Sequence, residues 1–444
     1  MEQELFERAP VPKAYFKFAL PVVFSMVFSL VYNMADTFFI ARTGNTNLIA
    51  GVSLGAPIFT LMIALGDIFG LGGSSYISRL FGQKEAEEGK RVSVFCFYGA
   101  IFVGVLSSAL LLLLREQVLA LLGTTADTYT YASQYYTWIA AGAPFIILSL
   151  TPSNILRTEG LTTESMVGSV LGTIVNIILD PIFIFTLHLG ASGAAIATVC
   201  GNIVADLYFV WVLWRKSRKL SVDIRMFSVT VSKLKEVLVI GIPASVTNLM
   251  QSLGIAMVNR ALLPSGNEKI AAMGIVMKIN MIAVLVMVGF AFGGQPLIGY
   301  NYGAKNWKRL KKILQFSYFF ECGIAVVVGS ALALAAPWAM GRFVQEHALI
   351  QTGVQMLRIQ QTGMACVAIV LVSTVVFQST GKALSALLIS LARQGVFLCV
   401  ALAVFSAGFG YVGILASQPA ADAMTAVLAL LLFAWGLGKI LFRY

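Results

Sequence analysis

Apolar residues run along this chain in long, nearly unbroken stretches, separated by short polar pauses. An α-helix needs about 20 apolar residues to cross a bilayer, and twelve stretches meet that length. The pattern predicts α1 over 14–41, α2 over 49–80, α3 over 92–115, α4 over 128–157, α5 over 165–187 and α6 over 190–215. It continues with α7 over 237–262, α8 over 269–301, α9 over 313–340, α10 over 352–379, α11 over 384–408 and α12 over 411–441. Several exceed the minimum, which implies tilt, kinks or extension beyond the lipid. The two-residue alternation of a membrane barrel is missing. Composition points the same way: 58% of residues are hydrophobic and 11% charged, where a soluble domain carries about 25% charged residues. The predicted fold class is an all-α polytopic membrane protein.

The formal net charge of +11 does not imply a nucleic-acid partner, because the basic residues sit in loops beside the spans. Arg215–Lys235 holds seven of them and Asn301–Lys312 five, while only Arg42, Arg115, Arg260, Lys269 and Arg342 fall on the other side. Basic loops stay cytoplasmic, so both termini are expected inside, in a multi-pass protein of the cell inner (cytoplasmic) membrane. The Met-Glu-Gln-Glu start lacks the basic region of a signal peptide, so the first span is expected to stay. The five cysteines lie in spans without a CxxC pair and read as packing residues. His188 and His347 fall in external loops, which leaves no metal-binding cluster.

The two halves repeat each other. Gly72-Gly73 matches Gly293-Gly294, Gly82 matches Gly303, Lys84 matches Lys305 and Gly160 matches Gly381, all at an offset of 221. Gly190 and Gly193 match Gly410 and Gly413 at 220, and Leu20-Pro21 matches Ile242-Pro243 at 222. Six helices per unit give both halves the same orientation, a parallel repeat of the kind secondary transporters use. The expected organisation is an N-lobe over 1–215, a basic cytoplasmic linker over 216–236 and a C-lobe over 237–444.

Against this background Asp180 stands out. A charge at bilayer centre costs about 2.5–3.5 kcal/mol on insertion scales. Asn176 lies one turn before it on the same face, and Pro181, which follows, denies a hydrogen bond to the carbonyl of Ile177. Asp36 on α1 and Thr198 on α6 add oxygen donors. At 1.5 Å per residue, Asp36, Asp180 and Thr198 lie about 8, 10 and 12 Å from the predicted outer ends of their helices. Oxygen donors suit Na⁺ as a hard cation, whereas a carboxylate withdrawn from water suits H⁺. The repeat serves as an internal control: Asn176 maps to Phe397, Asp180 to Ala401, and Asp36 to Met257 or Val258. The polar set belongs to the first half alone, although a polar knot that only fixes helix packing would use the same residues.

These features resemble the multidrug and toxic compound extrusion (MATE) family of antiporters. The resemblance covers essentially the whole chain. Its most specific elements are Pro21 with Asp36, Asn176 and Asp180 before Pro181, and Thr198. It implies two six-helix bundles, a cation-coupling site at Asp36, Asn176, Asp180 and Thr198, and a bend of α1 at Pro21 linked to substrate release. H⁺ or Na⁺ would be the coupling ion, with no cofactor. One branch of the family carries acids in the C-lobe as well; here α7 offers Gln251 and α10 has no acid, so coupling through the first half is expected.

Other intramembrane polar residues are candidates for a substrate cleft: Asn154, Asp67, Asp206, Gln251 and Lys278. Asp67 and Asp206 either line an inward-facing vestibule or sit hydrated near the cytoplasmic edge. Lys278 pairs with an acid across the cleft, reduces cation binding when the site opens, or pairs within its own lobe. Gly51–Gly55 fits GxSxG, but no histidine lies at bilayer depth to act as base, which counts against an intramembrane hydrolase. There is no phosphate-binding GxxxxGK[ST] loop, so transport must draw on an ion gradient. The resulting expectation is a non-enzymatic, monomeric secondary antiporter that exports amphipathic organic cations from the cytoplasm or lipid. The rival within the superfamily is a flippase for lipid-linked saccharides, whose anionic cargo suits acidic mid-membrane residues poorly.

Overall fold

Lipid offers no hydrogen bonds to the backbone, so a chain this apolar must satisfy its peptide groups within helices or closed barrels. The structure, a computed structural model, describes residues 2–228, 230–343 and 346–438. Regular structure among the described residues is helical, without strands. The first half comprises α1 (Val11–Arg42), α2 (Thr46–Gly82), α3 (Ala86–Leu113), α4 (Ala126–Ala141 with Ala143–Glu159), α5 (Thr162–Pro181, extended by a wide turn over Ile182–Thr186) and α6 (Gly190–Arg215). The second half comprises α7 (Val231–Leu262), α8 (Asn267–Gly293 with Gln295–Gly303), α9 (Trp307–Phe343) and α10 (His347–Gln361 with Met364–Ser379). The apolar stretch Ala383–Gly438 is 56 residues long. Non-helical backbone at Gly410 (φ 56°, ψ −130°) divides it into α11 and α12. The predicted end of α12 at 441 lies outside the described residues.

Three differences from the predicted elements have local causes. α4 and α10 are not single rods but bend by 51° and 48°, at Gly142 and at Thr362-Gly363. α7 begins at Val231 rather than 237, taking Lys233 and Lys235 into the helix. Gly51–Gly55 lies inside α2, without the strand that a nucleophile elbow requires.

The sequence repeat reappears in the backbone. Lys84 and Lys305 have φ of 66° and 53°, Gly160 and Gly381 of 97° and 75°, and Gly190 and Gly410 of 52° and 56°. Left-handed backbone is uncommon for a residue with a Cβ, so the two lysines mark a turn geometry that both halves share.

The chain forms two compact bodies, one of residues 24–245 and one of residues 3–23 with those from Val246 onward. The expected division at 216–236 therefore differs from the packing. Each body takes the opening segment of a helix from the other half of the sequence, and the crossings fall just after the matched prolines Pro21 and Pro243. In the first body, α7 opens against α2: a Cβ on Gly72 would lie 2.3 Å from the Val237 carbonyl oxygen. Ion pairs Arg79–Glu236 (3.0 Å) and Lys233–Glu88 (2.9 Å) hold the same segment. In the second body, α1 opens against α8, where a Cβ on Gly293 would lie 2.3 Å from Cα of Ala19. Ahead of it, the carbonyls of Leu5 and Phe6 accept from Arg309 at 3.0 and 2.8 Å. Also in this body, Arg393 pairs with Asp422 at 2.6 Å, and Arg358 donates to the Ala333 carbonyl at 3.2 Å. The segment before α7 is pinned to its own body. Buried Glu159 accepts from the Arg218 and Lys219 amides at 2.8 and 3.0 Å, and Tyr98 donates to the Val222 carbonyl at 3.0 Å.

Gly293→Val inserts a side chain into a backbone contact, and overpacking of this kind costs about 1–3 kcal/mol. A clear fall in Tm of the detergent-solubilised protein is the expected outcome. Gly274→Ala, where an added Cβ meets nothing within 4 Å, serves as control and is expected to cause no fall.

Candidate functional site

In the body of residues 24–245, close approach of α5 and α6 sets the geometry. A Cβ on Gly172 would lie 2.7 Å from the Gly201 carbonyl oxygen, and one on Gly201 would lie 2.6 Å from that of Gly172. Only helices with bare backbone at the crossing approach this closely. One turn further along α5, Asn176 Nδ2 donates to Thr198 Oγ1 at 3.2 Å. Thr198 itself donates to the Ala194 carbonyl at 3.1 Å, and Tyr32 Oη stands 3.2 Å from the same hydroxyl. A hydroxyl has one hydrogen. With that hydrogen on Ala194, Thr198 is an acceptor for both Asn176 and Tyr32.

The acids are left without donors. Asp180 is 0% exposed, and neither of its oxygens has a hydrogen-bond partner, nor has Asn176 Oδ1. Asp36, half-buried and one turn beyond Tyr32, makes no hydrogen bond or ion pair among the described residues. Asp36 and Asp180 are within electrostatic reach of each other and of Tyr135 on α4. Tyr135 reaches this place because α2 has no side chain at Gly55, where a Cβ would lie 2.5 Å from its ring. Asp36, Asp180 and Thr198 stand six, six and eight residues from the ends of their helices, roughly 9, 9 and 12 Å along the axes. Two like charges with no donor and no cation beside them are strongly unfavourable in apolar surroundings. A single proton or monovalent cation offsets that. Asp180, Asn176 Oδ1 and Asp36 offer oxygens for either, and no group of three or more His, Cys, Asp and Glu is placed to hold a metal ion among the described residues.

Asn176 and Thr198 also line a cavity of about 250 Å³ in this body, together with Tyr32, Asn33, Ser149 and Asn202. The other predicted residues are placed differently. Asn154 donates to the Leu150 carbonyl at 2.8 Å and accepts from Arg157 Nη1 at 3.4 Å, and it is not among the residues lining that cavity. Asp67 is half-buried and within electrostatic reach of Arg157. Asp206 is buried and neither of its oxygens has a hydrogen-bond partner. Gln251 and Lys278 are exposed and belong to the other body, as does Pro21, which lies inside α1.

Three residues escape the sequence reading. Tyr32 is signalled by its four-residue spacing from Asp36. Arg157 is buried within α4 and contacts Ser165 at 3.2 Å, although its position near a helix end suggests a loop cation. Tyr135 has no local signal, since only the packing of α2 on α4 brings it to the acids.

A family model described as MatE matches the chain twice, over residues 21–182 and 243–405. Over 427 residues the chain is 31% identical to the multidrug export protein MepA of Staphylococcus aureus, covering 96% of this chain and 94% of that protein. Two solved structures are similar along nearly their whole length. One is described as the outward-facing conformation of a multidrug resistance MATE family transporter of the MOP superfamily (TM-score 0.92, 26% identity, 99% of this chain and 98% of that one). The other is described as the crystal structure of MATE in the bent conformation (TM-score 0.91, 26% identity, 99% and 97%).

Thr198→Ala leaves Asn176 Nδ2 and Tyr32 Oη without their common acceptor, and an unsatisfied buried donor costs about 1–3 kcal/mol. Thermal unfolding in detergent is expected to show that loss for Thr198→Ala but not for Thr198→Ser, which keeps the hydroxyl. Equal stability of the two variants would contradict the assigned bonding.

Proposed function

The chain belongs to the MatE family of membrane transporters, and from that premise we propose that it is a multidrug efflux antiporter coupled through a cation site in residues 24–245. It is a multi-pass membrane transporter, not an enzyme. The observation that carries the proposal is the Asp36–Asp180 pair, two acids in electrostatic reach of each other with no donor or basic side chain paired to them among the described residues. Asn176 and Thr198 complete the oxygen set beside the pair.

Coupling requires a ligand that favours one conformation over the other, and only differential affinity supplies it. Occupation of the acids by H⁺ or Na⁺ removes the repulsion between them and stabilises whichever packing of α1, α5 and α6 brings them together. Release of the ion to the cytoplasm restores the repulsion and favours the alternative packing, to which substrate binds. Import of a cation is thereby linked to export of substrate by alternating access. The cargo we propose is amphipathic organic cations. The acidic character of the unpaired charges in this body supports that class over an anionic one, as does the description of the S. aureus relative as a multidrug export protein. The basic bias of one set of loops supports a cytoplasmic-membrane location with both termini inside.

Reconstituted full-length protein, loaded with a cationic dye and given a proton or a sodium gradient alone, tests the coupling. Asp36→Asn and Asp180→Asn are each expected to abolish gradient-driven efflux while expression and membrane insertion persist. Ala401→Asp, at the matching position of the other half, is expected to add no coupling, because Phe397 and Met257 supply no ligands. Undiminished efflux in both asparagine variants would make the two carboxylates structural. Binding of a lipid pyrophosphate in place of the dye would favour a flippase.

A further inference from the structure

The body that contains residues 3–23 and those from Val246 onward holds another buried acid, which the coupling site does not use. Glu321 lies in mid-α9, is 0% exposed, and neither carboxyl oxygen has a hydrogen-bond partner. No ion pair to it occurs among the described residues. Tyr15 of α1 and Ser317, one turn earlier on α9, stand together beside it. Tyr15 is itself 0% exposed, in a cage of rings from Phe16, Phe316 and Phe320. The titratable groups within reach of Glu321 are Tyr15 and its neighbour Cys322, which in turn faces Cys366 of α10. The packed helices α8 and α10 bring no charged group to it.

A count of hydrogens decides what this group holds. Tyr15 Oη donates to the Phe290 carbonyl at 2.9 Å, and Ser317 Oγ donates to the Ile313 carbonyl at 2.9 Å. Each hydroxyl has one hydrogen, so both are committed to the backbone and can only accept from Glu321. An ionised carboxylate would have neither donor nor counter-ion, the arrangement most penalised in an apolar interior. A carboxyl that brings its own hydrogen has an acceptor beside it in Tyr15 Oη, which itself donates to the Phe290 carbonyl. One carboxyl and two hydroxyls are too few oxygens to replace the shell of a hard metal cation, which leaves the proton.

We propose that Glu321 is a second proton-binding site, occupied while the opening segment of α1 is seated on α8 and α9. The seat is the close approach of Tyr15, Ala19 and Val23 to Gly294, Gly293 and Gly289. Withdrawal of Tyr15 removes the acceptor and opens the carboxyl to water, where the proton leaves. The site thereby links proton occupancy to the position of α1 independently of Asp36 and Asp180.

Infrared spectroscopy of the full-length protein near neutral pH tests this without a transport assay. The carbonyl stretch of a protonated buried carboxylic acid is expected in the wild type. One component of that absorption should be lost in Glu321→Gln and retained in the Asp36→Asn/Asp180→Asn double variant, the remainder belonging to other buried acids such as Asp206. Tyr15→Phe, which removes the acceptor, should shift its frequency. Carboxylic-acid absorption that Glu321→Gln leaves unchanged, or that falls only in the double variant, overturns the proposal. Should Glu321→Gln fail to fold, Tyr15→Phe decides alone: an unshifted carboxylic-acid band overturns it. Efflux by the asparagine variants bears on the coupling site and leaves this result untouched.

Discussion

Uncompensated negative charge inside an apolar bundle is the constraint on which this molecule turns. At Asp180 the chain places a carboxylate at 0% exposure, with Asp36 within electrostatic reach and no donor for either oxygen. The surrounding polar atoms do not relieve it, because Asn176 and Tyr32 are directed to Thr198, and Thr198 to a backbone carbonyl. In the proposed function, that charge is what the coupling ion neutralises. Arg157 shows the contrast: the same body places a buried guanidinium within reach of Asp67 and surrounds it with the oxygens of Ser153, Asn154 and Ser165. Arg157 is compensated within the body, whereas Asp180 and Asp206 have no hydrogen-bond partner among the described residues.

Much of this is legible in the sequence because it depends on local spacing. Asn176 and Asp180 share a face by helical periodicity alone, and the matched glycines and lysines at offsets near 221 prefigure the shared positive-φ turns. Gly410 marks the division of the last apolar stretch before any coordinates do. Long-range packing is what the sequence withholds. α10 bends at Thr362-Gly363 without a proline, and although Pro144 follows the bend of α4 at Gly142, hydropathy alone reads each pair as one rod. Tyr135 reaches the acids only through the contact of α2 with α4, and Arg157 looks like a loop cation until the burial of its helix end is known.

The exchange of opening segments between the bodies gives the double glycines their meaning. Gly72 and Gly293 occupy matching positions, and each admits the backbone of a helix from the other half of the sequence. A reading by halves assigns residues 3–23 to the first lobe, where most of α1 belongs. The physical boundary instead runs through α1 and α7 just past Pro21 and Pro243, where a missing amide hydrogen already weakens the helical ladder.

That exchange also fixes an order of events during synthesis. The opening turns of α1 are synthesised well before the surfaces that receive Tyr15, Ala19 and Val23, which belong to α8 and α9, more than 260 residues downstream. Until the ribosome has delivered those helices, the leading segment is surrounded by lipid or by transient neighbours. Contacts between such distant parts of a chain close late. The body of residues 24–245, by contrast, is finished as soon as the opening of α7 arrives. Assembly ordered by synthesis is accordingly asymmetric: the body of residues 24–245 has all its parts before the seat of Tyr15, Ala19 and Val23 exists.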